Sequence, residues 1–171
     1  KILITIDDAF SSFYEIAWPY LKEEKIPFIL FVSTAAVGKN GYMSWDQIKE
    51  LEKEDIAYVG NHSHTHDYLV DLENNDFIND INIANKIFTE NLGYNPIFFS
   101  YPFGEYNNFI KQYIAKYFMF SFGQHSGVID VNKDPYDLPR FPINEKYGDL
   151  KRFKFLISLQ PLQYKALYPK E

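Results

Sequence analysis

An α/β fold with a mostly parallel sheet or barrel is what this chain predicts, and three observations carry it. Short, apolar, β-branched runs alternate with amphipathic helical stretches. Polar or turn motifs close these runs: Asp7-Asp8, Gly60 to Asp67, Tyr101-Pro102-Phe103-Gly104 and Gln124-His125. In parallel α/β folds the C-terminal strand ends and the loops after them carry function, so four such motifs converge on one edge. Finally, the 171 residues contain no internal repeat and no linker, which suits a single domain over 1–171 with a real core.

The elements follow in order. Ile2-Leu3-Ile4-Thr5-Ile6 reads as a buried strand ending abruptly in Asp7-Asp8. Ser11 or Ser12 can cap a helix whose apolar positions Phe13, Ile16, Ala17, Tyr20 and Leu21 share a face, with Pro19 kinking or shortening it. Phe28 to Val32 is the second strand, and Ser44-Trp45-Asp46-Gln47 has the capping-box spacing that opens a short helix through Leu51. Ile56 to Val59 is the third strand. Phe77, Ile81, Ala84 and Phe88 mark a helix stopped at Gly93. Ile97 to Tyr101 is a fourth strand, Asn107 caps the next helix, and Phe118 to Phe122 is a fifth strand. After a polar loop from Asp130 to Pro139 come a short extended element, Arg140 to Ile143, and a last helix from Asp149 carrying Phe153, Leu156 and Ile157.

Composition narrows the function classes. A net charge of −6 argues against nucleic acid, whose phosphates demand a basic face. With no cysteine, disulfide and thiolate chemistry are excluded. No apolar run approaches the ~18 residues of a membrane span. Aromatics make up 19% of residues, a load that suits both a packed core and sugar-stacking surfaces. The chain begins at Lys1, without Met and directly on a strand-like segment, as expected of a processed or trimmed piece.

Three of the four histidines lie within five residues, His62-Ser63-His64-Thr65-His66, just after a strand. Neutral imidazole is the commonest transition-metal ligand, and a catalytic zinc needs only three protein ligands. His62 and His66 stand four apart, so one helical turn or a tight loop brings both rings to one ion, while His64 points elsewhere. Alone, the cluster also reads as a polar surface loop. Together with Asp7-Asp8 it offers two imidazoles, one carboxylate as a ligand and one as a base.

The motifs resemble those of the polysaccharide deacetylases of carbohydrate esterase family 4, the NodB-homology domain. Thr5-Ile6-Asp7-Asp8 is similar to the family's T-x-D-D, His62 to His66 to its H-[ST]-x-x-H, and Ser100-Tyr101-Pro102-Phe103-Gly104 to its R-x-P-[YF]-G turn. Tyr42 to Ile48 resembles the members acting on poly-N-acetylglucosamine. The resemblance implies a distorted (β/α) barrel of about seven parallel strands. It also implies one divalent metal ion, usually zinc with cobalt or nickel as substitutes, held by Asp8, His62 and His66, with Asp7 as general base. The implied substrate is an N-acetylated glycan, and the implied location extracellular, periplasmic or at the cell envelope. Such a metal lowers the pKa of its water toward ~7, Asp7 takes the proton, and the backbone N–H of Phe103 is a donor to the oxyanion.

Two positions depart from the family pattern. Ser100 stands where the family has arginine, and Arg140 is the candidate replacement because it can pair bidentately with a carboxylate. The late leucine–histidine motif is missing; Leu156 to Gln160 occupies a similar place without histidine. His125, the only histidine outside the cluster, is the candidate acid. Trp45, Tyr101, Phe103 and Tyr106 are candidates for sugar stacking, and Asn61 and Asp67 for orienting the ligand rings. The leading function is hydrolysis of N-acetyl groups on an N-acetylglucosamine-containing polysaccharide or oligosaccharide. The alternative is a non-catalytic carbohydrate-binding relative without the acid. A metal phosphohydrolase lacks the glycine-rich loop or basic cluster it needs.

Overall fold

The computed structural model describes residues 2–144 and 148–158. Its centre is a five-stranded parallel sheet of β1 (Ile4–Ile6), β2 (Phe28–Val32), β3 (Ala57–Asn61), β4 (Phe98–Ser100) and β5 (Phe120–Phe122), in that spatial order. Every strand pairs in parallel with the next, Phe31 facing Gly60 and Val32 facing Asn61 across β2 and β3.

The predicted seven-stranded barrel is not what the described residues form: their sheet has five strands. The sheet curls but stays open, a half-barrel with β1 and β5 as its edges. Closing a barrel requires a strand on the free edge of β1. The segment after β5 carries Pro135, Pro139 and Pro142, which lack the N–H a ladder needs, and it makes a single parallel bridge, Phe122 to Leu138. The predicted extended element at 140–143 is therefore irregular chain.

β2 is buried at all five positions because both sheet faces are covered. Phe28, Leu30 and Val32 meet Phe13, Trp18, Met43 and Ile48 on the helix side. On the concave side Ile29 and Phe31 meet Phe122 and Leu138. A third cluster joins Phe77 and Ile81 to Phe99, Tyr101, Ile110 and Ile114. At Gly60 an added Cβ would lie 2.4 Å from the Phe31 ring, so only glycine lets that ring pack across β3.

The described residues also form five α-helices: α1 (Trp18–Glu23), α2 (Trp45–Glu52), α3 (Asn74–Leu92), α4 (Asn108–Ile114) and α5 (Leu150–Ile157). Ser44 and Gln47 make the capping box of α2, Asn107 caps α4, and Gly93 ends α3 with a left-handed φ of 82°. Before α1 the pattern breaks. Phe13–Ala17 is a π-helical turn, and Pro19 takes the first turn of α1, where no donor is required. Ser12 makes no side-chain cap there. Asp149 caps α5, whereas Leu159 and Gln160 lie outside the described residues. Among the described residues no helix is long and apolar enough to cross a membrane.

Candidate metal and catalytic site

The site lies at the C-terminal ends of β1, β3, β4 and β5. After β1 the chain turns sharply, with Asp8 at φ 72° and Ala9 at φ 55°. After β3 it turns again, with Ser63 at φ 66° and His66 at φ 62°, and after β4 Phe103 sits at φ 58°. Left-handed backbone at non-glycine residues is costly, and here it gathers around one point.

Local hydrogen bonds fix the histidine loop. His62 N–H donates to Val32 O at 3.0 Å, continuing the sheet, and Ser33 Oγ donates to His62 O at 2.9 Å. Asn61 Oδ1 accepts from Ser63 N–H, and Ser63 Oγ accepts from His66 N–H. Asp80 of α3 accepts from the N–H groups of His64 and Thr65 and from the Thr65 hydroxyl.

The loop delivers two imidazoles to Asp8. Nε2 of His66 lies 3.2 Å, and Nε2 of His62 3.7 Å, from Asp8 Oδ1. The three ligand atoms fall within 4.8 Å of one another. His62 is buried, and its Nδ1 stands 2.7 Å from Ser100 O. Burial pulls its pKa down, more than the neighbouring carboxylates raise it, so the ring is neutral. A neutral ring that donates from Nδ1 to a carbonyl presents its Nε2 lone pair to the Asp8 side. Two imidazole nitrogens and a carboxylate oxygen form a donor set that fits a divalent transition metal with positions left open. His64 turns away, its Nδ1 2.8 Å from Thr34 Oγ1.

Asp7 faces a different partner. Arg140 donates Nη1–H to Asp7 Oδ1 at 2.8 Å and Nη2–H to Asp7 Oδ2 at 2.9 Å, a bidentate pair. The same guanidinium donates to Ser100 Oγ, Thr5 Oγ1 and Gly123 O. Ser100 thus leaves room for an arginine arriving from the other sheet edge. Burial pushes the Asp7 carboxyl up, but His62, Arg140 and the hydrogen bonds from Arg140 and Ser100 outweigh it and hold the group below its usual range. Arg140 is the fixed charge in this set, joined to Asp7 through two hydrogen bonds.

Three predicted site residues sit elsewhere. Tyr101 is fully buried, its hydroxyl donating to Tyr136 O and touching Ser121, so it cannot stack on a sugar. Trp45 packs edge-on against Phe88 as part of the core. His125 pairs with Asp137 at 3.4 Å, over Gly123. Side chains alternate along β5: Phe122 faces Phe31, whereas the Gly123 position faces His125 and Asp137 on the opposite side. The ring's partner is thus Asp137 and not a member of the Asp8–His62–His66 triangle. Tyr106 covers Tyr101, Asn61 orients the loop backbone rather than a ring, and Asp67 is exposed. Phe103 does border the site, edge-on to His66 at 4.8 Å.

Asp80 is the main residue that sequence reasoning passed over. Its signal was present: an acid on the apolar face of α3, between Phe77 and Ala84, needs buried donors.

The polysaccharide deacetylase family model matches residues 1–119. The chain belongs to the polysaccharide deacetylase family. It is 29% identical over 163 residues to the poly-β-1,6-N-acetyl-D-glucosamine N-deacetylase of Staphylococcus aureus strain MSSA476, covering 85% of this chain and 55% of that protein. The chain thus spans about half the length of the curated relatives it matches. Among solved structures, IcaB from Ammonifex degensii is similar at 28% identity and a TM-score of 0.76, covering 84% of this chain and 68% of that one. The Streptococcus pyogenes deacetylase PplD, in complex with acetate, shares the fold at 21% identity and a TM-score of 0.82, covering 92% and 69%. Within the matched region this family member carries Asp7, Asp8, His62 and His66, whereas Arg140 lies beyond it.

Proposed function

We propose that this deacetylase-family chain hydrolyses N-acetyl groups on a polymer of N-acetylglucosamine, as a single catalytic domain over 1–171. The observation that carries the reading is the Asp8–His62–His66 donor triangle beside a carboxylate held ionised by Arg140. The name of the Staphylococcus relatives, poly-β-1,6-N-acetyl-D-glucosamine N-deacetylase, supports the substrate class. The proposal favours Zn²⁺, since a mixed imidazole and carboxylate set with open positions suits it, and a location outside the cytoplasm, where such polymers lie.

When bound, a divalent ion supplies Lewis acidity for the acetamide carbonyl and a lowered pKa for the attacking water. The chain's own residues do the rest. Asp7 accepts the proton of the attacking water on one of its carboxylate oxygens, each of which keeps a lone pair beside its Arg140 contact. Arg140 fixes the carboxylate plane and stabilises its charge. The Phe103 N–H, in the left-handed turn after β4, is the donor aimed at the oxyanion. With His125 turned toward Asp137, the acid is Asp7 itself: a carboxyl with a depressed pKa readily gives its proton to the leaving nitrogen. The C–N bond then breaks to acetate and a free amine.

Acetate release from N-acetylglucosamine oligomers, measured before chelation, after it, and after Zn²⁺ is restored, tests the reading. The expected sequence is activity, loss and recovery. Acetate release indifferent to chelation, or oligomer binding without any release, would overturn it, the latter in favour of a carbohydrate-binding relative.

A further inference from the structure

His125 and Asp137 take no part in the chemistry above, yet they lie between two of its working parts. Asp137 stands three residues before Arg140, on the segment that runs beside the end of β5. Leu138 N–H donates to Ser121 O, Gly123 N–H to Leu138 O, and Arg140 N–H to His125 O. The Arg140 side chain returns to the same loop, its Nε–H donating to Gly123 O at 2.7 Å. The arginine that grips Asp7 is thus seated on residues 123–125.

The Phe103–Gly104 turn leans on that loop as well. A Cβ at Gly104 would lie 2.6 Å from Gln124 Cβ and 2.7 Å from Gln124 N, so the two backbones are in direct contact. Gly104 N–H donates to Tyr101 O, and Tyr101 N–H to Phe122 O, which ties the turn to β5. A shift of Gln124 therefore reaches the Phe103 N–H across a packed contact.

The His125–Asp137 contact joins the loop to the segment that carries Arg140. Asp137 Oδ1 is closed to solvent and makes no hydrogen bond among the described residues, and His125 Nδ1 stands 3.4 Å from it. A buried carboxylate oxygen is costly without a donor, and this ring nitrogen is placed to meet it. After burial, the same carboxylate is the main influence pushing the Tyr106 phenol up, so Asp137 also faces the residue two beyond Gly104. A Cβ at Gly123 would fall 2.9 Å from His125 Nδ1 and 3.2 Å from Asp137 Oδ1, so glycine there makes room for the pair.

We propose that His125 and Asp137 are positioning residues: their contact locks the loop after β5 to residues 137–140, and the locked loop sets Arg140 against Asp7 and the Phe103 N–H toward the oxyanion. This deepens the deacetylase reading and rests on it. The base comes from the end of β1 and the oxyanion donor from the turn after β4, and both keep their geometry by leaning on residues 123–125.

The experiment measures acetate release from an N-acetylglucosamine oligomer by the zinc-loaded wild type, His125→Asn, His125→Leu, Asp137→Ala and the His125→Leu/Asp137→Ala double variant. The His125 side chain is 39% exposed, so leucine there spares the core, and unchanged zinc stoichiometry checks that the metal site has formed. His125→Leu and Asp137→Ala should each lower kcat about tenfold with KM within about twofold, since the displaced groups act on the transition state. The double variant should lose no more than either single, because the two side chains act as one contact. His125→Asn, whose amide nitrogen stands in for Nδ1, should recover most of the loss. In the zinc-free protein, amide exchange at Gly104 and Arg140 should quicken in His125→Leu and slow again in His125→Asn. Losses that fall on KM, that add in the double variant, or that leave both amides unchanged would overturn the positioning role. A wild type without acetate release would end the deacetylase reading, and the exchange rates alone would then decide whether the pair holds the loop.

Discussion

Asp7 and Asp8 are adjacent in sequence yet belong to different circuits, because the left-handed φ of 72° at Asp8 turns the chain between them. Asp7→Asn should keep stoichiometric zinc and lower kcat by about 10²–10⁴-fold, the usual contribution of a general base. Zinc loss in that variant would exchange the two roles. His62→Ala should abolish metal uptake and His64→Ala leave it nearly intact, since His64 faces Thr34, and metal content after dialysis checks both. Arg140→Gln removes a charge and two hydrogen bonds that help hold Asp7 ionised against the burial that raises its pKa. The acidic limb of the pH–rate profile should therefore move up by about 1–3 units. The ligand spacing was legible because His62 and His66 are sequence neighbours. Tyr101 was misread in direction: once Ser100 faces Arg140, the period of two sends Tyr101 to the helix side.

At the scale of elements, the capping signals of α2 and α4 and the stop at Gly93 were readable because each is satisfied within four residues. The start of α1 was not. Its apolar spacing continues through Pro19, but the missing N–H forces the π-helical turn ahead of it. Gly60 shows a packing constraint no local pattern reveals, since the ring it accommodates comes from β2. Gly60→Ala should cost about 1–3 kcal/mol by overpacking against Phe31, measured as a lower urea midpoint, and Phe31→Leu should recover part of it. Asp80→Ala should leave two loop N–H groups without their acceptor, weakening zinc affinity while the deacetylated product stays the same.

Across the whole molecule, the alternation of strands and helices gave the parallel sheet, but the number of strands depends on what meets the free edge of β1. That is a long-range question, answered by a proline-rich segment that makes one bridge, to β5, and leaves the β1 edge free. The same assembly sets a pH dependence for the metal-free protein. His62 has a folded-state pKa below its ordinary 6.5, so between the two values the unfolded chain binds more protons. Stability should be full above about 6.5 and decline as pH falls below it, a trend that urea titrations across this range would show and that His62→Gln would flatten.

Arg140 touches Gly123 at the edge of β5 and Thr5 and Asp7 at the edge of β1, so one side chain spans the mouth of the half-barrel. It works as a clasp, and guanidinium stays charged at every pH the fold survives. Only the other half of the clasp can let go, when Asp7 takes a proton. Loss of the base and loosening of the β1 edge are then one event, and amide exchange along Ile4–Ile6 should quicken at the same acid pH at which turnover fails.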